Sequence, residues 1–203
     1  MNHRKIILSA MLAVALSVQA QEGDITHSIG AEKNKSATQS ISIDVGPSWV
    51  TSKVYTPSGT YKRRGGMEVG LEYNCVFKKG YGFGFSFLHN TTSYPDVKST
   101  QAFVGPSFVY AGFFSKKWRG ITEIGLGYST FSDGSDTEKG LGVKYSVGVE
   151  YMLSDKFGIS AKMRDITVYL GGKDEDDWWS GRNKNEVNGV ARLALQLGAC
   201  LHF

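Results

Sequence analysis

Val190-Ala191-Arg192-Leu193-Ala194-Leu195-Gln196-Leu197-Gly198-Ala199-Cys200-Leu201-His202-Phe203 alternates along its whole length. Every odd position from Ala191 to Phe203 is apolar, while the even positions carry Arg192, Gln196, Gly198 and His202 with the small Ala194 and Cys200 between them. A β-strand turns over at each residue, so this stretch has one greasy face and one polar face. In a chain that is 41% apolar, seven apolar odd positions in succession arise by chance in roughly two windows per thousand. The alternation is therefore a pattern to be explained, and it predicts a strand with two different environments on its two sides.

Working backwards, the same period recurs to give eight segments. Ser40–Val50 sets Ile41, Ile43, Val45, Pro47 and Trp49 against Ser42, Asp44, Gly46 and Ser48. Met67–Phe77 opposes Val69, Leu71 and Tyr73 to Glu68, Gly70, Glu72 and Asn74, and the turn Lys78-Lys79-Gly80 leads straight into Tyr81, Phe83, Phe85 and Phe87. Thr100–Phe113 is less clean, because Phe103 and Val109 fall on the face of Gly105 and Ser107. Ile121–Thr130 opposes Ile124, Leu126 and Tyr128 to Glu123, Gly125, Gly127 and Ser129. In Leu141–Leu153, Val143, Tyr145, Val147, Val149 and Tyr151 face away from Gly142, Lys144, Ser146, Gly148 and Glu150. Phe157–Leu170 begins with Ile159 and Met163 against Ser160, Lys162 and Arg164; beyond Asp165 the apolar residues Ile166, Val168 and Leu170 sit on even numbers, which predicts a bulge at Asp165.

The connections are read as alternating in length. Those around Lys79, Lys117 and Lys156 are short and basic, and those over 51–66, 91–99, 131–140 and 171–188 are longer and polar. Short turns at one end and long loops at the other predict an all-β, eight-stranded antiparallel transmembrane up-and-down β-barrel, with short periplasmic turns and longer extracellular loops. Volume decides which face meets lipid. An eight-stranded barrel is just wide enough to be filled by side chains. A face bearing Trp49, Tyr73, Phe77, Tyr81, Phe83, Phe85, Phe87, Phe108, Tyr128, Tyr145, Tyr151 and Phe157 cannot fit inside, whereas a face rich in glycine suits the crowded concave wall. The rings therefore point into hydrocarbon, and those near strand ends form interfacial girdles.

Composition agrees. Asn2-His3-Arg4-Lys5 followed by an apolar run to Leu16 and by Val18-Gln19-Ala20 reads as a signal peptide, residues 1–20, cleaved after Ala20; the run is well under the ~20 residues of a helical span. Residues 21–38 read as a flexible polar segment and 39–203 as the barrel. Loss of Arg4 and Lys5 takes the 23 basic residues to 21 against 19 acidic ones, a net +2. That balance gives no reason to expect nucleic acid. Two cysteines, Cys75 and Cys200, are too few for a disulfide framework and lie on opposite faces by parity, so free thiols are expected.

By the same parity Asp44, Glu68, Glu72, Glu123, Lys144, Glu150, Lys162, Arg164 and Arg192 project into the lumen. Charges held away from water must pair, which makes a salt-bridged plug the expectation and a gated ion path or paired catalytic carboxylates the alternative. Outside the strands, Lys62, Arg63 and Arg64 in the first loop are candidates for lipopolysaccharide phosphates, since guanidinium groups pair phosphate oxygens. In the fourth loop Asp174, Asp176, Trp178 and Trp179 are candidates for surface recognition or a divalent cation, although the glycine-marked spacing of a calcium loop is missing. The basic first loop and the acidic fourth loop also adjoin in a closed barrel and can simply attract each other. A hydrolytic triad from His89, Ser93 and Asp96 near the outer rim is the enzymatic alternative. No cofactor motif is found.

With these segments in place, the chain from about Ser40 to Phe203 resembles the small outer-membrane barrels of the OmpA and OmpX type. The resemblance rests on the strand pattern and on Leu197-Gly198-Ala199-Cys200-Leu201-His202-Phe203, which is similar to the family's C-terminal assembly signal. It implies that the barrel assembly machinery reads Phe203 during biogenesis, and that the protein resides among lipid and lipopolysaccharide in the outer membrane of a Gram-negative bacterium. Val45-Gly46-Pro47-Ser48-Trp49-Val50 and Val104-Gly105-Pro106-Ser107-Phe108-Val109 look like a glycine-aromatic hairpin idiom of these barrels. No peptidoglycan-binding domain is seen after the barrel, and the His-x-Ser pattern of lipid A deacylases is absent. The functional expectation is a non-enzymatic barrel, structural or binding an extracellular ligand through its loops, with a lipid-modifying enzyme or a narrow channel as the alternatives.

Overall fold

The computed structural model describes residues 37–56, 59–62, 64–93, 98–132, 137–170 and 189–203. The expected signal peptide and most of the polar segment after it lie outside this set. Among the described residues there are ten strands: β1 (Ala37–Val50), β2 (Lys53–Thr56), β3 (Gly59–Lys62), β4 (Gly65–Phe77), β5 (Tyr81–Ser93), β6 (Lys98–Phe113), β7 (Trp118–Ser132), β8 (Thr137–Met152), β9 (Phe157–Leu170) and β10 (Gly189–His202). Eight of them close a barrel in the order β1-β10-β9-β8-β7-β6-β5-β4, and β2 pairs β3 as a separate hairpin within the first loop. Every barrel pairing is antiparallel. The seam is sealed by reciprocal backbone bonds between Gln39 and Phe203, at 3.0 and 3.3 Å. β1 thus starts at Ala37, three residues ahead of the strand start expected at Ser40.

The faces follow parity. Leu197 is 70% exposed and Phe83 63%, whereas Asp44 and Lys144 are 0% exposed. Large apolar residues cover the outside from Ile41 and Ile43 through Phe85, Phe87, Leu126 and Leu141 to Leu195 and Leu201. At the short-turn end the rings touch one another: Phe83 lies edge-on to both Phe77 and Phe108 with centroids 6.3 Å apart, and Trp118 meets Tyr151 at 5.0 Å. Lys117 places its ammonium 5.7 Å from the Tyr151 ring centre. This is an aromatic girdle with a cation at its edge, the arrangement expected where hydrocarbon gives way to headgroups.

Three expectations are corrected. No bulge occurs at Asp165, because its pairs with Tyr145 and Leu193 continue the register on both sides without a skipped residue. Ile166 and Val168 are buried in the lumen on the same face as Lys162 and Arg164. The wall changes from polar to apolar there; the strand does not change face. Secondly, only four residues separate Ser93 from Lys98 and Ser132 from Thr137, as few as separate Phe113 from Trp118 or Met152 from Phe157. Much of the polar sequence assigned to the second and third loops is strand. Strands of about 14 residues at ~3.3 Å per residue, tilted by roughly 40°, rise about 35 Å, well past a hydrocarbon band of ~25 Å. Polarity along these strands marks the exit from lipid rather than the exit from the sheet.

Thirdly, the two Val-Gly-Pro-Ser stretches are not at hairpins; they lie inside β1 and β6. Both interrupt pairing on one side, β1 with β10 between Val45 and Ser48, and β6 with β7 between Val104 and Ser107. The other side of each strand pairs through the Gly-Pro dipeptide, Pro47 with Met67 and Pro106 with Phe85. Proline has no N–H to give to a ladder, and the adjacent glycine lets the strand press on its neighbour. A Cβ on Gly46 would strike the Leu195 carbonyl, and one on Gly105 the Leu126 carbonyl. Gly80, with φ of 85°, makes the turn between β4 and β5, where left-handed backbone favours glycine.

Candidate functional site

All nine charged residues assigned to the lumen by parity are buried there, and two further ionisable groups, Arg119 and His202, join them. The middle of the barrel holds a continuous network. Lys144 from β8 donates to Glu72 on β4 (2.8 Å), to Glu123 on β7 (2.5 Å) and to Ser86 on β5 (2.6 Å). Lys162 from β9 donates to the other Glu72 oxygen at 2.6 Å, to Asp44 at 3.0 Å and to Ser42 at 3.2 Å. Next on β9, Arg164 reaches Glu68 at 2.5 Å, Glu72 at 3.0 Å and Asp44 at 3.3 Å. Glu72 is thus the hub, shared by three cations.

Glycine supplies the room for this. The Cβ of any residue replacing Gly70 would lie 2.9 Å from Leu88 and 3.1 Å from the Arg164 guanidinium. Towards the long-loop end Leu88, Phe103, Ile166 and Val168 close the lumen as an apolar layer, and Phe103 lies over Gly142, where a Cβ would come within 2.7 Å of its ring. Phe103 and Val109, which blur the alternation of the fourth barrel strand, are therefore packing groups of the interior. Beyond that layer Arg192 donates to Gln101 at 3.0 Å and to Thr92 at 2.5 Å. At the other end Val76, Val109, Ala111 and Ile121 form a second apolar cluster. Beside it Arg119 meets Glu150 at 3.2 Å, and His202 Nε2 lies 2.6 Å from the other Glu150 oxygen.

Among the described residues the buried lumen charges are five carboxylates (Asp44, Glu68, Glu72, Glu123, Glu150) and five cations (Arg119, Lys144, Lys162, Arg164, Arg192), with His202 in addition. Arg119 escapes the sequence pattern because the strand is expected to begin at Ile121, whereas β7 begins at Trp118. Running the parity of Glu123 back by two pairs would have found it.

The other sequence candidates are not brought together. His89 faces outward, with its Nε2 3.5 Å from the Thr91 hydroxyl, and Ser93 is exposed on the same side of β5. Four residues along a strand span about 13 Å, so Ser93 and His89 cannot share a proton, while Asp96 lies outside the described residues. Arg64 is half-buried and its carbonyl accepts from Val50 N–H at 2.9 Å. Lys62 ends β3, and Arg63, Asp174, Asp176, Trp178 and Trp179 lie outside the described residues. Cys75 is half-buried on the outer face and Cys200 is buried in the lumen, both as free thiols. Phe203 is exposed at the seam.

The sequence profile of the outer membrane protein beta-barrel domain matches residues 6–190. The chain belongs to that family. This barrel is an outer-membrane protein of the Gram-negative envelope, in agreement with its lipid-facing rings. Among solved structures it is similar to Neisserial surface protein A (NspA), with a TM-score of 0.62 and 15% identity over 83% of this chain and 100% of that chain. It is also similar to Ail, the attachment invasion locus protein of Yersinia pestis, with a TM-score of 0.51 and 18% identity over 83% of this chain and 100% of that chain. These likenesses are of fold. No curated protein matches the barrel by sequence.

Proposed function

We propose that the barrel is a non-enzymatic surface protein: a rigid membrane-spanning stake that holds its outer loops at the cell surface to bind. The observation that carries this reading is the filled, charge-balanced lumen: five buried carboxylates stand against five buried cations, and between the two apolar layers Asp44, Glu68, Glu72 and Glu123 interlock with Lys144, Lys162 and Arg164. A conducting path would need mobile ions to displace these pairs, and breaking one buried pair costs about 3–5 kcal/mol. The His89 and Ser93 spacing gives a triad no support. Binding then falls to the loops: Lys62, Arg63 and Arg64 to lipopolysaccharide phosphates, and Asp174, Asp176, Trp178 and Trp179 to an extracellular ligand. Phe203, exposed at the seam, is the assembly signal read by the barrel assembly machinery.

The test is surface-ligand screening of the folded, purified protein with two loop variants, one lacking residues 171–188 and one with Lys62, Arg63 and Arg64 changed to alanine. Retained folding with lost binding supports the reading. Lipid A altered by the wild type but not by His89→Ala, detected by mass spectrometry, overturns it.

A further inference from the structure

Every lumen carboxylate is met by lysine or arginine. At the short-turn end one of them, Glu150, is held by Arg119 through one oxygen and turns the other to a different kind of group. Cys200 and His202 are two apart on β10, so their side chains leave the same face, and Glu150 on β8 reaches them from two strands away. The intervening strand permits this because Gly158, which pairs with both Cys200 and Met152, has no side chain; a Cβ there would lie 2.6 Å from Glu150 Oε1. A carboxylate oxygen, a thiol sulfur and an imidazole nitrogen thereby converge with all ligand atoms within 4.8 Å of one another. Among the described residues this is the one such grouping.

We propose that Glu150, Cys200 and His202 form a binding site for a zinc-class divalent cation at the short-turn end of the lumen. The ligand chemistry selects the ion: thiolate with imidazole favours zinc over magnesium or calcium, which take oxygen. The required movement is small. Around a tetrahedral zinc, nitrogen and oxygen ligands stand about 3.3 Å apart and sulfur about 3.6 Å from either, so the 2.6 Å contact of His202 with Glu150 opens and the sulfur draws in. Arg119 stays on Glu150 Oε2, 3.2 Å away, and fixes the carboxylate so that Oε1 is presented to the ion. Three protein ligands leave a fourth position for water. His202 is the last residue of β10 and Phe203 follows it at the rim, so an ion has a short path from the aqueous side. Binding releases the thiol proton. The site is independent of the loop-binding function.

Cobalt(II) and zinc(II) titrations of the folded, chelator-washed full chain in detergent test this. One equivalent of cobalt is expected to give a thiolate-to-cobalt charge-transfer band in the near ultraviolet, removed by one equivalent of zinc. Cys200→Ser is expected to abolish the band and weaken zinc binding by roughly tenfold or more, with Gly158→Ala weakening it through displaced Glu150. Cys75→Ser, on the lipid face, is expected to change neither. Should His202→Ala fail to fold, Cys200→Ser and Glu150→Gln decide the matter. No charge-transfer band in the folded wild type, or zinc binding undiminished in Cys200→Ser, overturns the proposal.

Discussion

Glu72 concentrates the lumen's electrostatics in one side chain. It is 1% exposed and receives Lys144, Lys162 and Arg164, so removing its charge takes a carboxylate from three buried cations at once and leaves them Glu123, Asp44 and Glu68. Glu72→Gln is expected to destabilise the folded barrel by about 3–5 kcal/mol, read as the shift in urea unfolding from lipid vesicles. Adding Lys144→Met to that variant removes one of the cations Glu72 no longer balances, so the double variant is expected to lose less than the sum of the single ones. Strict additivity would show that the network is not shared. Gly142 makes the complementary point about volume. Gly142→Val would drive a branched side chain into the Phe103 ring, and an overpacked core of this kind costs about 1–3 kcal/mol in the same assay. The charged positions could be listed from the sequence because each obeys the parity of its strand. Their partners could not: Lys162 and Asp44 are 118 residues apart, and Lys162 and Glu72 are 90 apart.

Among the elements, β1 and β10 carry the closure. The Gly46-Pro47 step in β1 divides two roles between adjacent residues: Gly46 faces inward against the Leu195 carbonyl and Pro47 faces lipid. Gly46→Val is expected to abolish the compact, heat-modifiable band of the folded barrel on gels, whereas Pro47→Val keeps it; equal behaviour of the two would refute the close-approach argument. Deleting Phe203 removes the paired backbone bonds with Gln39 as well as the terminal ring, and the yield of assembled barrel in membranes is expected to fall. The errors of element assignment share one cause. Hydropathy reports the medium next to a residue, so Thr91 and Ser99 read as loop although they pair with Thr100 and Thr92. Ile166 and Val168 read as a changed face because their hydropathy matches lipid as well as it matches the apolar layers that cap the lumen.

For the molecule as a whole, the five-to-five balance of ionised groups in a filled lumen predicts an electrically silent protein. Planar-bilayer recordings of the folded barrel are expected to show no discrete conductance steps, and reproducible steps would contradict the plug. The zinc-class site lies at the short-turn end of this plug, shares Glu150 with it and is compatible with it, since the ion enters and leaves at one end. What the sequence determined by itself was the number of barrel strands, the face each residue takes and the medium outside. All three rest on period-two alternation and on the bulk of side chains, which are local quantities. Only the tertiary structure decided which cation meets which carboxylate, where the apolar layers seal the lumen, and that Glu150 crosses Gly158 to reach Cys200 and His202. Those contacts depend on how far each strand is staggered against its neighbours around a closed ring. Stagger is fixed by all eight strands together, and no single segment encodes it.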